Sequence, residues 1–178
     1  MEVRKTSIEG LVEIFPTIFE DARGHFLETY NQPEFSKLGL PSHFVQDNQS
    51  FSKKGVIRAL HLQADPYAQG KLVRALTGKI LDVAVDLRTN SPTFGKWESF
   101  VLDPQKSNLV YVPEGFGHGF AALEDSHFAY KCTKPYHKES EIGIRWDDSD
   151  LNIDWQVANP IVSDRDKVLP SFRGVFPR

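Results

Sequence analysis

The sequence predicts an all-β fold, a sandwich or barrel, on three observations. From residue 44 onward, short runs rich in Val, Ile, Leu, Phe and Tyr recur at near-regular intervals, and Gly, Pro, Asn or Asp separates most of them. No helical period is long enough to build βαβ units.

Taken in order, residues 11–15 (LVEIF) read as the first strand, and FEDARGHFLETYN as two extended pieces about the turn DARG. Residues 33–38 read as one or two helical turns, with Pro33 near the first position and Gly39 as the stop. Strands are then predicted at 44–50, 56–62, 72–76, 80–87, 96–102, 109–112, 117–123 and 128–133, with turn signals such as Thr77-Gly78, Asn90-Ser91-Pro92 and Pro113-Glu114-Gly115 between them. In KILDVAVDLR, Leu81, Val83, Val85 and Leu87 form one apolar face and Asp82, Ala84 and Asp86 the other. Strict alternation predicts that these aspartates lie on a solvated face. The stretch WDDSDLNIDWQVANPIVSDRDK is rich in turn formers and is predicted to lie as an arm or short helix across the sandwich. Neither repeats nor a low-complexity linker interrupt the chain.

A chain of 178 residues fits one large domain, residues 1–178, and can bury a full core without disulfides. With 24 acidic and 21 basic residues, a formal charge of -3 and no basic block, nucleic acid and membrane surfaces are excluded as partners. No apolar run approaches the length of a membrane span and MEVRKTSIEG has no apolar core of a signal peptide, so a cytoplasmic location is expected. Cys132, the only cysteine, fits a reducing compartment. It shares a strand face with Ser126, Phe128 and Tyr130 and reads as a buried structural thiol.

The chemistry concentrates in VIRALHLQADPYAQGK, residues 56–71. His61 falls near a strand end, and a histidine there is a candidate proton carrier because its ordinary pKa lies near neutrality. A packed rim histidine would fit the same pattern, but Arg58 and Lys71 bracket it, and cations beside a base suit a reaction on an anionic substrate. Alternation puts Arg58 and His61 on opposite faces, so serving one site together requires a bulge or a strand that ends at the pocket mouth. Gln46, Asn48 and Ser50 share a face with Phe44, a row of amides that must either bond each other or face a polar ligand. His118, flanked by glycines in FGHGF, is placed to reach a cleft, although a tight corner with an incidental histidine accounts for it equally. Tyr130 is either a packed aromatic or a phenol that protonates an enolate. A metal is not expected: no H-x-H or HExxH occurs, and Gln63 stands where a second imidazole would be wanted.

Four stretches, FVQDNQSFSKKGVIRALHLQ, AQGKLVRALTGKILDVAVDLRTNSPTFGKW, VPEGFGHGFAAL and GIRWDDSDLNIDW, together resemble the dTDP-4-dehydrorhamnose 3,5-epimerases, and the likeness runs from DARGHF to SDRD. The resemblance implies a cupin-type jelly-roll β-sandwich with short peripheral helices, a homodimer, and neither metal nor organic cofactor. It implies a substrate, dTDP-4-dehydro-6-deoxyglucose, inverted at carbons 3 and 5 to dTDP-4-dehydro-L-rhamnose. Carried over residue by residue, His61 is the base, Asp166 its paired carboxylate, Tyr130 the acid on the other face of the sugar, and Lys71 the cation at the sugar. His118 matches a sugar-site position. Arg23, Phe26, Glu28, Gln46, Asn48, Arg58, Glu141 and Arg165 match nucleotide- and sugar-contacting positions, and Tyr136 matches the aromatic that stacks on thymine. Ala59 and Leu62 depart from the usual R-G-L-H-[YF]-Q, and Arg165 stands where lysine is common. A 3-only epimerase, a related keto-isomerase and a non-catalytic sugar-nucleotide-binding cupin are the alternatives that the residues leave open.

Overall fold

The computed structural model describes residues 1–177. The chain forms β1 (Glu2–Lys5), β2 (Val12–Phe15), β3 (Ile18–Asp21), β4 (Gly24–Leu27) and a helix α1 (Gln32–Lys37). Eight strands follow: β5 (Gln46–Ser52), β6 (Val56–Gln63), β7 (Lys71–Thr77), β8 (Ile80–Asp86), β9 (Trp97–Leu102), β10 (Leu109–Val112), β11 (Phe116–Ala122) and β12 (Ser126–Cys132). The C-terminal part adds β13 (Glu141–Gly143), β14 (Ile161–Val162), α2 (Asp164–Lys167) and α3 (Phe172–Val175).

Two antiparallel sheets face each other, one ordered β1-β2-β10-β7-β12-β5 and the other β13-β6-β11-β8-β9, with β14 pairing parallel to β6. This is the cupin-type jelly-roll sandwich that the resemblance implies. The strand at Glu2–Lys5 carries no apolar run and is made by its partner, β2, rather than by its own pattern. The predicted helix is present: the Asn31 side chain caps Glu34 N–H, Pro33 lies in the first turn, and Gly39 follows with a φ of 69°.

Burial extends over three layers of side chains rather than one. Between the sheets lie Val73, Ile80, Ala84, Phe100, Val110, Phe120 and Phe128. On the outside of the second sheet, Leu81, Val83 and Val85 are covered by Ile144, Leu151, Trp155 and Phe172 of the C-terminal arm. Outside the first sheet, Leu72, Leu109 and Tyr111 are covered by Phe35 and Phe44. The arm is pinned by indole N–H donors, Trp97 to Leu151 O at 2.8 Å and Trp155 to Trp146 O at 2.7 Å.

This layering overturns the solvated face predicted for Asp82 and Asp86, both of which are fully buried. The apolar face of β8 packs under the arm, so the face carrying the aspartates is the one turned into the sandwich. Each carboxylate has a local partner there: His118 bonds Asp82, while Arg88, Ser91 and Thr93 bond Asp86.

Candidate active site

One end of the sandwich is not filled by apolar side chains but opens as a cavity of about 600 Å³, whose walls include Arg58, His61, Lys71, His118, Tyr130 and Asp166. A narrower cleft of about 120 Å³ shares Asn48, His61, Lys71, Tyr130 and Glu141 with it and continues to Gln46 and Tyr136. Apolar walls come from Phe120 and Phe128.

Of the two conditions for Arg58 and His61 to share a site, the bulge is the one present in β6. Against β11, His61 pairs with His118 but Arg58 pairs with Phe120, so β6 carries one more residue than its neighbour across this interval. The extra residue turns Arg58 and His61 toward the same cavity, and the Ala59–Leu60 peptide within it is cis. Gly119 faces the bulge, and a Cβ there would collide with Ala59.

His61 Nε2 lies 2.8 Å from Asp166 Oδ1 across 105 residues of sequence. The parallel pairing of Ile161 with Val56 and Val162 with Ile57 brings the chain back onto β6, and α2 then starts with Ser163, whose hydroxyl accepts the Asp166 N–H at 3.1 Å. Asp166 is buried whereas the His61 side chain is 27% exposed, which leaves the imidazole open to the cavity and its carboxylate sheltered behind it. Burial pushes the Asp166 carboxyl up, but the bond to His61, the imidazole charge, the Ala59 amide and Arg165 outweigh it and hold the group below its ordinary value.

Tyr130 enters from the opposite sheet, on β12. Burial raises its phenol above the ordinary value, reinforced by Cys132 and Glu141 and opposed by Arg58, so it stays protonated at neutral pH. Lys71 starts β7 and makes no ion pair among the described residues. Burial lowers its pKa, against the pull of Cys132, Asp82 and Glu141. A second imidazole, His118, holds Asp82 at 2.7 Å with both groups buried, and Asp82 Oδ1 has no hydrogen-bond partner.

The remaining candidates divide. Gln46, Asn48, Arg58, Tyr136, Glu141 and Arg165 all border the cavity or its cleft. The amide row satisfies both readings of it, because Gln46 donates to Asn48 at 3.0 Å and both line the cleft. Phe44 precedes the strand and packs with Tyr30 and Phe35 instead. Glu141 accepts from the Tyr136 hydroxyl at 2.7 Å and from Arg165 at 2.6 Å. Burial raises its pKa, yet these two donors hold it below the ordinary value. Arg23, Phe26 and Glu28 are not brought together with the others: they lie on or just after the β3–β4 hairpin, where Arg23 pairs with Asp21 and Phe26 is 65% exposed. Cys132 borders the cleft and is buried, and burial raises its thiol pKa. No group of three or more potential metal ligands occurs among the described residues.

Asp82 is the site residue that alternation misplaced. No signal in the strand itself could have placed it, since Asp82 and Asp86 share one face and the cover over the other comes from the distant arm.

A base backed by a buried carboxylate on one side of the cavity, a neutral phenol on the other sheet, and a lysine lining the same cavity can remove a proton from carbon and return one from the opposite side. Residues 5–174 match the sequence profile of the family described as dTDP-4-dehydrorhamnose 3,5-epimerase. The chain is 49% identical over 168 residues to the dTDP-4-dehydrorhamnose 3,5-epimerase of Shigella flexneri, with 93% of each chain covered. It superposes on the crystal structure of dTDP-4-dehydrorhamnose 3,5-epimerase from Elizabethkingia anophelis with a TM-score of 0.93, at 48% identity and 97% coverage of both chains. It superposes on dTDP-6-deoxy-D-glucose-3,5-epimerase from Legionella pneumophila, in complex with dTDP-4-keto-L-rhamnose, with a TM-score of 0.91, at 42% identity and 96% and 92% coverage.

Proposed function

The chain belongs to the dTDP-4-dehydrorhamnose 3,5-epimerase family, and from that membership and the site's geometry we infer how the reaction proceeds in it. The protein is an isomerase that converts dTDP-4-dehydro-6-deoxy-D-glucose to dTDP-4-dehydro-L-rhamnose, in dTDP-L-rhamnose biosynthesis. Protons on carbons 3 and 5 flank the 4-keto group and are acidified by it. His61 removes one, the electrons of the C–H bond move into the ring, and the negative charge settles on the keto oxygen. Lys71 and His118, which line the same cavity, are the groups assigned to stabilise that oxygen. Tyr130 then donates its proton to the other face of the carbon, and inversion follows. Each event leaves an imidazolium on one side and a phenolate on the other, so both must exchange protons with water before the second centre reacts. Asp166 orients the imidazole and stabilises its charged form.

The observation that carries this reading is the His61–Asp166 pair facing Tyr130 across one cavity. Its test is proton NMR of the 4-keto sugar nucleotide with the protein in deuterated water, with His61→Ala as control. Deuterium at carbons 3 and 5, and an L-sugar once a reductase is added, is the expected result. Deuterium at carbon 3 alone would make it a mono-epimerase, and nucleotide binding without exchange would make it a binding protein.

The nucleotide end follows from the same cavity. Arg58 and Arg165 suit the diphosphate because a guanidinium presents forked donors, while Tyr136, 53% exposed beside the cleft, suits a stacked thymine. Arg23, Phe26 and Glu28 complete the site if a second copy supplies them. The exposed Phe19 and Phe26 on a hairpin that joins neither sheet support a homodimer built that way. Residues 1–178 act as one cupin-type unit, with β1 and β2 extending one sheet and the arm covering the other. No helix among the described residues is long and apolar enough to cross a membrane, and the cytoplasm is the compartment that a nucleotide-sugar substrate and a free Cys132 suit.

A further inference from the structure

We propose that Gln63 is the positioning residue that fixes Tyr136, and with it the nucleotide, relative to the catalytic base. The inference rests on the reading of Tyr136 as the residue that stacks on the base. Four consecutive residues of the loop after β12 take their hydrogen bonds from glutamine side chains. Gln69 donates to Lys134 O at 2.7 Å, Gln63 donates to Pro135 O at 3.3 Å, the Tyr136 N–H donates to Gln46 Oε1 at 2.8 Å, and the His137 N–H donates to Gln63 Oε1 at 2.9 Å. Among the described residues, no backbone group bonds the backbone of 134–136. The loop therefore has no ladder of its own, and the backbone of 134–136 takes its hydrogen bonds from three amides.

Gln63 is the central one. It is buried, makes two of the four bonds, and also donates to Tyr67 O at 2.7 Å. The rings of Tyr67 and His137 stack at 3.7 Å with an interplanar angle of 1°, so one amide holds the backbone on both sides of that stack. Glu141, which receives the Tyr136 hydroxyl, pairs with Gln63 across the β6–β13 ladder. The residues on either side of Tyr136, and the acceptor of its hydroxyl, are thus referenced to the strand that carries His61 two residues earlier, while its own N–H is held by Gln46 of β5. A sugar nucleotide held by its base on Tyr136 presents its ring to His61 at a separation fixed by β6, not by a free loop. All three bonds of the Gln63 amide go to backbone atoms, which makes its role one of placement and leaves the proton transfers to others.

The test is a double-mutant cycle of Gln63→Met and Tyr136→Ala, read by calorimetric binding of dTDP and by KM and kcat. Methionine keeps the length of glutamine but neither donates nor accepts strongly. Gln63→Met is expected to weaken dTDP and raise KM on the order of tenfold, with kcat changed by less than about twofold, because buried hydrogen bonds are lost while the base and acid are untouched. On the Tyr136→Ala background the same change is expected to add almost nothing. Unchanged dTDP affinity in Gln63→Met, beside a weakened Tyr136→Ala, overturns the proposal and leaves the stacking reading standing. Equal losses on both backgrounds, or a fall in kcat without a rise in KM, overturn it as well. Unchanged affinity in Tyr136→Ala removes the stacking reading and this proposal with it. Should Gln63→Met fail to fold, Gln69→Met in the same cycle decides, with a smaller rise in KM expected and additivity overturning the claim.

Discussion

On the proposed roles, Tyr130 and His61 are separable by experiment, because each would control a different half of the proton's path. With Tyr130→Phe, His61 still removes the substrate proton and can return one to the same face, so NMR in deuterated water should show exchange at the acidic carbons without the L-sugar. Loss of exchange together with inversion would mean that the phenol is needed for enolate formation and is more than the acid. Asp166→Asn tests the other half. The amide cannot compensate the imidazolium, and its bond to Nε2 at 2.8 Å can hold the wrong tautomer, so kcat is expected to fall on the order of 10²- to 10⁴-fold with binding of dTDP retained. Equal loss of dTDP affinity would instead place Asp166 in substrate binding. Asp82→Asn acts more gently, because Asp82 does not line the cavity and acts there through His118 and through its pull on Lys71. Its kcat should fall less than that of Asp166→Asn, and an equal or larger fall would make the His118 pair the principal base.

At the level of elements, the turn after β8 is organised by one carboxylate. Asp86 accepts from Arg88 Nε at 2.8 Å, from Ser91 Oγ at 2.6 Å and from Thr93 Oγ1 at 2.6 Å. Burial pushes its pKa up, but these donors bring it down to about 2 from 3.8. A carboxylate depressed on folding contributes stability that is fully present above the unfolded value and is lost as pH falls through the folded one. Asp86→Asn should therefore lower Tm at neutral pH, by the equivalent of about 2 kcal/mol. It should also flatten the loss of stability between about pH 4 and pH 2 in acid titrations followed by circular dichroism, whereas an unchanged acid limb would deny Asp86 that role. The β8 run also shows where a strand pattern stops being informative. Its alternation was legible and its strand is real, but period 2 distinguishes two faces without saying which one meets solvent. That depended on an arm more than 50 residues away in sequence, whose Leu151, Trp155 and Phe172 carry no periodic signal. The strand at Glu2–Lys5 was silent for a related reason, since only its pairing to β2 makes it a strand. The β6 bulge, by contrast, was foreseeable as a condition, because Arg58 and His61 cannot share a pocket on a regular strand.

For the whole molecule, the candidate site is legible as chemistry but not as geometry. Arg58, His61, Lys71, His118, Tyr130 and Asp166 each stood out by residue type or family motif, yet their meeting depends on two sheets facing each other and on β14 returning to β6. Arg23, Phe26 and Glu28 remain outside that meeting, on a hairpin whose Ile18, Phe19 and Phe26 are exposed at 38%, 59% and 65%. Apolar rings on a two-stranded hairpin that joins neither sheet are costly to leave in water, and a lone hairpin is marginally stable. A second copy that receives the hairpin at its own cavity resolves both difficulties and brings a cation and an aromatic to the nucleotide end. Sedimentation equilibrium should then report twice the chain mass, and Phe26→Ser should shift it toward the monomer. The same substitution should raise KM for the sugar nucleotide, and activity of that variant should rise more steeply than in proportion to protein concentration as dimers reform. A monomeric wild-type protein with full activity would remove the hairpin from the site and return Arg23, Phe26 and Glu28 to the surface.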